Sequence, residues 1–229
     1  MTETTVPTTE DRARLSLGAS SDVIYGMVRD SLDGLGIEGG DLLDVGCGSG
    51  RLWPFVRERF GTYTGVDVVP YDGFPDAGRF IAVDVDTGAI PLPDASFDVV
   101  ASVETIEHLD GPRRFVAELA RLVRPGGWLA VSTPNQLSFQ SLLSLVLRGY
   151  FAAFQEAPGL YPAHITALVE TDLLRIAREH GLVDAGIRYS NRGRIPLTPW
   201  HFPRPLGGRR FSDNLLMVAR RPGAGPPPG

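Results

Sequence analysis

The sequence contains no lysine, so all 22 of its basic residues are arginine. Without a lysine amine, the chain can neither form a Schiff base with a carbonyl substrate nor use lysine as a general base. It also has a single cysteine, Cys47, which excludes an intrachain disulfide and is typical of proteins from reducing compartments. The single cysteine favours a cytoplasmic protein, and the lack of lysine excludes lysine-dependent catalysis.

Long hydrophobic runs are missing as well. The most apolar window, residues 137–154, is interrupted by Gln140 and Arg148 and is a poor membrane span. The first fifteen residues are polar and lack the apolar core of a signal peptide. The net charge of -5 argues against nucleic acid as the main partner, because phosphate binding usually shows as a basic balance. We therefore expect a soluble protein without a transmembrane segment.

Short apolar runs alternate with helical patterns along most of the chain. This alternation predicts a parallel sheet with right-handed crossovers and helices on both faces. The last two predicted strands have no regular helix between them, so an antiparallel hairpin is expected at one edge. The predicted fold class is α/β: a Rossmann-like, doubly wound, mostly parallel sheet of seven strands. The strands are predicted at 41–46, 62–67, 79–85, 97–103, 127–133, 183–190 and 213–220.

The predicted helices complete one domain over residues 16–221. A first helix starts after Ser20 or Ser21 and ends near residue 32, and the others cover 50–60, 112–124, 138–150 and 169–181. Residues 137–165 and 190–212 are expected to lie on the substrate side. The polar start, 1–15, is expected to be a disordered lead-in, and 222–229 a disordered tail.

The stretch LLDVGCGSG, residues 42–50, places a glycine at every second position after a predicted buried strand. Glycine inside an element is costly, so the backbone there either turns with positive φ or lies against a ligand. In the dinucleotide-binding fingerprint the third glycine comes three residues after the second, but here it arrives early, at Gly50. This spacing disfavours a pyrophosphate and indicates a smaller group, such as a carboxylate, at the following helix N-terminus. A tight turn without a ligand is the alternative.

Acidic side chains follow the next three predicted strands. Asp67 ends the second strand, where a carboxylate can accept hydrogen bonds from two ribose hydroxyls. Asp84 lies near the end of the third strand, with Asp86 just beyond, and an acceptor there can pair with the amino edge of an adenine. Ligands of doubly wound folds bind beyond the carboxyl ends of the strands, so these groups are expected to share one site. The fourth strand adds three more groups: Glu104, Glu107 and His108.

Four stretches, in this order and spacing, resemble class I S-adenosylmethionine-dependent methyltransferases: LLDVGCGSG, YTGVD, IPLPDASFDVVASVETIEHL and RLVRPGGWLAVSTPN. The likeness is greatest to the small-molecule branch that includes the ubiquinone and menaquinone methyltransferases, and it covers roughly residues 35–218. It implies S-adenosylmethionine as cofactor and S-adenosylhomocysteine as product. The residues implied for the cofactor are Asp44, Gly46, Cys47, Gly48 and Gly50 at its methionine end, Ser102 and Glu104 beside the sulfonium and amino groups, Asp67 at the ribose, and Asp84 and Val85 at the adenine.

One segment departs from the family pattern. Residues 68–79 contain two prolines and two glycines, so the second crossover helix is short or absent. The choice between Asp84 and Asp86 at the adenine stays open for this reason.

Histidine is the leading candidate for general acid–base catalysis. A sulfonium methyl is already activated, so the enzyme mainly has to align the acceptor, and a base helps if the acceptor is a hydroxyl. His108 is the candidate base and Glu107 the residue that orients it; a structural histidine that braces the loop is the alternative. His164 and His201 are candidates for contacts with substrate. No metal site is expected.

Two further features concern the acceptor. Six arginines and no acid lie between Ala185 and Ser212, which favours an anionic acceptor near Arg192 and Arg194; a solvated loop is the alternative. The apolar residues 137–154 indicate a lid helix, a hydrophobic acceptor site or peripheral contact with a membrane.

The function expected from this resemblance is methyl transfer from S-adenosylmethionine to a small-molecule acceptor, at a hydroxyl oxygen. A non-catalytic S-adenosylmethionine-binding regulatory or scaffolding protein is the alternative. A nicotinamide-dependent oxidoreductase is disfavoured by the glycine spacing. Nucleic acid methylation is disfavoured because the loop after the fourth strand reads SVETIEHL rather than NPPY, and no separate basic domain is present.

Overall fold

A single sheet collects every strand of the chain that the computed structural model describes, which comprises residues 8–15, 18–37, 39–75, 78–155, 164–203 and 205–223. The strand order is β3-β2-β1-β4-β5-β7-β6. Neighbours from β3 to β5 pair in parallel, and β7 is antiparallel to both β5 and β6. The strands are β1 (Asp41–Val45), β2 (Thr62–Asp67), β3 (Arg79–Ala82), β4 (Phe97–Ser102), β5 (Val123–Pro134), β6 (Val183–Tyr189) and β7 (Asn214–Arg220).

Among the described residues, six α-helices accompany the sheet. They are α1 (Thr9–Leu15), α2 (Asp22–Gly34), α3 (Trp53–Val56), α4 (Pro112–Leu122), α5 (Phe139–Arg148) and α6 (Glu170–Glu179). Two short 3-10 helices cover Ile106–His108 and Arg209–Phe211. Within the described ranges, no helix is long and apolar enough to cross a membrane.

Alternation along the strands gives the sheet one apolar core on each face. Leu42 packs with α2 and α3, whereas its neighbour Leu43 packs with α4 and α6. Phe115 of α4 is 1% exposed and lies at the centre of the second core. The predicted fold class, with helices on both faces and an antiparallel hairpin of β6 and β7 at one edge, is confirmed.

Local sequence signals fix several helix ends. Pro112 follows Gly111 and opens α4, where its missing N–H costs nothing. The Ser138 hydroxyl accepts from the Ser141 N–H at 3.1 Å and caps α5, and Gly149, with φ +83, ends it. These two ends agree with the predicted helix over 138–150.

The helix predicted over 50–60 is wrong except for one turn, α3. The flanking bonds run between residues three apart, such as Trp53 N–H to Gly50 O at 3.1 Å and Arg59 N–H to Val56 O at 2.9 Å. Pro54 in the first turn removes a further donor. The segment therefore forms consecutive tight turns around a single helical turn.

Two strand boundaries also differ from the prediction. β3 ends at Ala82, opposite the last residue of β2, Asp67, so no partner strand is left for residues 83–85. β5 begins at Val123, directly after α4, and the pairing with β4 shifts between Phe97 and Val99. The gap predicted between the helix over 112–124 and the strand over 127–133 is therefore absent, and Gly126 and Gly127 lie within an irregular start of β5.

The disordered lead-in predicted over 1–15 is wrong for residues 9–15, which form α1. Arg12, which is 6% exposed, pairs with the buried carboxylate of Asp86 at 3.2 Å. The Ala13 carbonyl accepts from the Tyr71 hydroxyl at 2.5 Å. These contacts between distant segments stabilise a short polar helix. Of the remaining predicted disordered ends, residues 1–7 and 224–229 lie outside the described residues, and residues 8, 222 and 223 are part of neither a helix nor a strand.

Candidate active site

A cavity of about 630 Å³ opens at the carboxyl ends of β1, β2, β4 and β5. It lies where the strand order reverses between β1 and β4, the point at which doubly wound sheets bind ligands. Residues 18–21 and the first turns of α2 cover one side of it. Of the predicted site residues, eleven line it: Asp44, Gly46, Cys47, Asp67, Val85, Glu104, His108, His164, Arg192, Arg194 and His201. The other five, Gly48, Gly50, Asp84, Ser102 and Glu107, do not.

The glycines after β1 adopt positive φ, and each lies against protein. Their φ values are +75 at Gly46, +51 at Gly48 and +73 at Gly50. A Cβ would lie 2.0 Å from Thr105 Oγ1 at Gly46 and 2.0 Å from the Gly18 carbonyl oxygen at Gly48. The positive φ values and these close neighbours each require glycine in this turn, and contact of the turn with a ligand stays a prediction.

Gly48→Ala should destabilise the protein more than Gly36→Ala. Both glycines have positive φ, which costs an alanine about 1–2 kcal/mol. A Cβ at Gly36 meets nothing within 4 Å, whereas at Gly48 it meets backbone, and such overpacking adds about 1–3 kcal/mol. Urea unfolding of the two variants measures the difference. Equal free energies of unfolding would show that the Gly18 contact does not constrain the loop.

Asp44 presents a buried carboxylate at the end of β1. Its Oδ2 accepts from the Tyr63 hydroxyl at 2.8 Å, and its Oδ1 is buried with no hydrogen-bond partner among the described residues. Burial raises the pKa of Asp44 to about 7, the Tyr63 hydrogen bond lowers it, and the charge of Asp67 adds to the rise. A cavity-lining carboxylate with one unused oxygen is suited to a cationic group such as an ammonium.

Asp67 joins the end of β2 to the glycine turn. Its Oδ2 accepts from the Gly48 N–H at 2.8 Å, and its Oδ1 from the Val69 N–H at 3.3 Å. Burial raises the pKa of Asp67, and these backbone hydrogen bonds oppose that rise. The carboxylate is thus fixed in orientation while it lines the cavity.

Asp84 and Asp86 differ in burial and in hydrogen-bond partners. Asp86 is 4% exposed, and its carboxylate accepts from Arg12 at 3.2 Å and from the Asp110 N–H at 3.1 Å. Asp84 is less buried and accepts from the Asp86 N–H at 2.9 Å. Since Asp86 is committed to these partners, Asp84 is the better candidate of the two for a ligand, with Val85 between them on the cavity wall.

Glu104 follows β4 in a left-handed conformation, with φ +52. Its carboxylate accepts from Ser132 Oγ at 2.9 Å and from Asn214 Nδ2 at 2.8 Å. Burial raises the pKa of Glu104 to about 7, and both hydrogen bonds oppose the rise. Ser102 is completely buried within β4 and does not line the cavity.

Glu107, His108 and His164 form one cluster, of which the two histidines line the cavity. The Glu107 carboxylate lies 3.9 Å from His164 Nε2, and the two imidazole rings are 4.7 Å apart, edge to face. Burial raises the pKa of Glu107 well above its usual value, and the charge of Glu104 adds to this. Burial lowers the pKa of His164 to about 3. The structure brings His164 to Glu107, a pairing that the sequence analysis did not predict.

The arginine-rich loop is partly neutralised. Arg194 donates to Asp213 at 3.1 Å through Nε, and Arg209 pairs with Glu170 at 2.6 Å. Both acidic partners lie outside the segment between Ala185 and Ser212, so the composition of that segment, six arginines and no acid, did not reveal them. Arg192 and Arg194 still line the cavity together with His201, and Arg204 lies outside the described residues.

The sequence analysis missed two polar residues just beyond β5. Asn135 and Gln136 line the cavity and are almost completely buried. Asn135 donates to the Arg209 and Ser212 carbonyls at 2.6 and 2.7 Å, while Gln136 Oε1 has no partner in the described chain. Their position directly after a parallel strand, with Asn135 at the end of the stretch STPN and Gln136 next to it, is the signal that could have identified them.

Comparisons with known proteins agree with this geometry. Residues 43–131 match the family model described as "Methyltransferase domain". A ubiquinone biosynthesis O-methyltransferase of Paracidovorax citrulli is 37% identical over 203 residues, which is 83% of this chain and 81% of that protein. A "Probable S-adenosylmethionine-dependent methyltransferase" of Mycolicibacterium smegmatis is 34% identical over 163 residues, 66% of this chain and 60% of that protein. The crystal structure of a SAM-dependent methyltransferase from Archaeoglobus fulgidus shares the fold, with a TM-score of 0.62 at 18% identity over 86% of this chain and 94% of that one.

Proposed function

This chain belongs to the class I S-adenosylmethionine-dependent methyltransferases, and we propose that it methylates a hydroxyl oxygen of a small molecule. The observation that carries the proposal is one continuous cavity in which Asp44 and Asp67 face the same space as His108 and His164. The relative from Paracidovorax citrulli, an O-methyltransferase, supports oxygen as the acceptor atom.

The proposed cofactor position follows from the acids at the strand ends. The ammonium of the methionine moiety binds the unused Oδ1 of Asp44, the ribose hydroxyls bind Asp67, and the adenine lies beside Val85 with Asp84 at its amino edge. The buried Asp44 oxygen without a partner is the feature that fits this group, because such an atom is costly unless a ligand completes it. The sulfonium then points toward Glu104 and the histidines.

Cofactor affinity should rise with pH between 6 and about 7. Burial raises the pKa of Asp44 to about 7, so the folded protein holds this proton more tightly than the unfolded chain and loses stability as pH rises toward 7. An ammonium favours the ionised carboxylate, so binding releases the proton, and affinity increases by up to about tenfold per pH unit below 7. Calorimetry with S-adenosylhomocysteine at pH 6, 7 and 8 measures this slope. If the affinity of the Asp44→Asn variant still rises with pH to the same extent, the proton released on binding belongs to another group.

In the proposed reaction, the residues around the methyl acceptor align its hydroxyl with the sulfonium methyl and provide a base for the hydroxyl proton. In-line positioning of a hydroxyl and the sulfonium methyl can supply about 7–11 kcal/mol of the barrier. In the proposed reaction the oxygen forms the O–C bond, the S–C bond breaks with its electron pair on sulfur, and His108 takes the hydroxyl proton. Arg192 and His201 lie at the cavity wall as contacts for an anionic group on the acceptor, since Arg194 already pairs with Asp213.

Transfer of a labelled methyl group tests the proposal. The protein is incubated with S-adenosylmethionine that carries a deuterated methyl group, together with phenols, catechols and hydroxy acids, with amines as the comparison set. Mass spectrometry should find the label on a hydroxyl oxygen, with hydroxy acids losing turnover in Arg192→Ala. Label on nitrogen would overturn the oxygen assignment. Binding of S-adenosylhomocysteine without transfer to any compound would favour the non-catalytic alternative.

A further inference from the structure

The Glu107–His108–His164 cluster holds three potential ligand atoms within 4.8 Å of one another. Backbone contacts fix it in place, because the Glu107 carbonyl accepts from the Ile165 N–H at 2.9 Å and the Thr166 N–H at 3.0 Å. The Thr166 hydroxyl also donates to the Leu109 carbonyl at 2.6 Å. Residues 164–166 are therefore attached to the 3-10 helix that carries the other two members.

Glu107 lacks the partners that a buried carboxylate normally has. Its side chain is 0% exposed, and neither carboxylate oxygen accepts a hydrogen bond of good geometry from the residues that the structure describes. The nearby Thr133 hydroxyl, which also lacks such a bond, is a neutral group and brings no positive charge. No arginine in those ranges lies within ion-pair distance; its one contact of that kind is with His164, at 3.9 Å. A second carboxylate, that of Glu104, follows the same strand end and is held by Ser132 and Asn214. A carboxyl group buried without a charged partner either keeps its proton or receives a cation, and the two adjacent imidazoles favour a cation that nitrogen can also ligate.

We propose that Glu107, His108 and His164 bind a divalent transition-metal ion whose remaining coordination position faces the acceptor. One carboxylate and two imidazoles, with an open position, are the donor set of catalytic zinc sites and of related first-row metal sites. Both histidines line the cavity, so a ligand of the metal can enter from the cavity side. The inference rests on the proposed function only for the identity of that ligand, the acceptor hydroxyl.

The metal changes the role of His108 in the proposed reaction. A bound cation stabilises the acceptor as an alkoxide or phenoxide, and the hydroxyl proton leaves to solvent before methyl transfer. The oxygen then forms the O–C bond, and the electron pair of the broken S–C bond stays on sulfur in S-adenosylhomocysteine. In this arrangement His108 acts as a metal ligand rather than as the base.

Metal binding is measured on the full chain without acceptor, after treatment with a chelator and its removal. Co²⁺ and Zn²⁺ should bind with one site per chain in calorimetry, and Co²⁺ should give visible absorption typical of a low-coordinate site. Glu107→Gln and His164→Gln should weaken binding at least about tenfold, since loss of residues that merely support a ligand already costs 10–100-fold. His180→Ala is the matched control, because that ring contacts the Arg113 carbonyl outside the cluster. Mg²⁺, which prefers oxygen ligands, should not compete.

Absence of binding, or equal binding in Glu107→Gln, His164→Gln and wild type, would overturn the metal site. Melting temperatures and S-adenosylhomocysteine affinities show whether each variant is folded. Measurements of methyl transfer distinguish a failure of the metal site from a failure of the proposed function. Chelation should abolish methyl transfer, and addition of Zn²⁺ or Co²⁺ should restore it. Full transfer in chelated enzyme would refute the metal and leave His108 as base. If no acceptor is methylated, the binding result still decides the metal site.

Discussion

Asp67→Ala is expected to weaken S-adenosylhomocysteine binding about 10²–10⁴-fold. A hydrogen bond to a charged group contributes about 1.5–3 kcal/mol, so two bonds to ribose hydroxyls contribute about 3–6 kcal/mol. The structure adds a second effect, because the same carboxylate accepts from the Gly48 N–H at 2.8 Å and orients the turn beside Asp44. Calorimetry with wild type and variant measures the loss.

Two further variants separate these effects. Asp67→Asn keeps an oxygen for the Gly48 N–H but loses the charge, so its affinity should lie between those of wild type and Asp67→Ala. Asp72→Ala removes an exposed acid from the following loop and should leave affinity unchanged. If Asp67→Ala binds like wild type while its melting temperature is also unchanged, the ribose position proposed here is wrong.

His108→Ala is expected to lower turnover about 10²–10⁴-fold while S-adenosylhomocysteine affinity stays within about twofold of wild type. The loss follows if His108 takes the hydroxyl proton, an effect of this size in general base catalysis, and equally if His108 ligates the proposed metal ion that activates the hydroxyl. The measurement is kcat with the best acceptor found, alongside calorimetry of the product. His180→Ala, at the end of α6 and outside the cavity, is the control.

A purely structural role for His108 would give a different pattern. The melting temperature would fall together with cofactor affinity, because the loop after β4 would lose its brace against His164. Unchanged kcat in His108→Ala would exclude this residue both as base and as a ligand that catalysis requires.

Strands and most helices could be predicted because their signals are local. The nearly continuous apolar runs in β1 and β4 are typical of strands buried on both faces, and Ser138 and Gly149 mark the ends of α5. Helix α1 could not be predicted in this way, since its sequence, TEDRARL, is polar. Its stability depends on Arg12 reaching Asp86 across the fold, which no local pattern contains.

The residues of the candidate site likewise include some that could be predicted from local sequence and some that could not. Asp44, Asp67 and Glu104 could be placed from the rule that parallel strands present their following residues at one edge. The partner of Glu107 could not, because His164 reaches it through a loop anchored by Ile165 and Thr166. The partial neutralisation of the arginine loop depends in the same way on Asp213 and Glu170, which approach only after β6 and β7 pair.

A crystal structure of the protein with S-adenosylhomocysteine tests the central claim most directly. The account predicts the ribose hydroxyls on Asp67, the ammonium within hydrogen-bonding distance of Asp44, the adenine beside Val85, and the sulfur facing His108 and His164. A ligand bound with its adenine at the histidine end, or one bound outside this cavity, would contradict it.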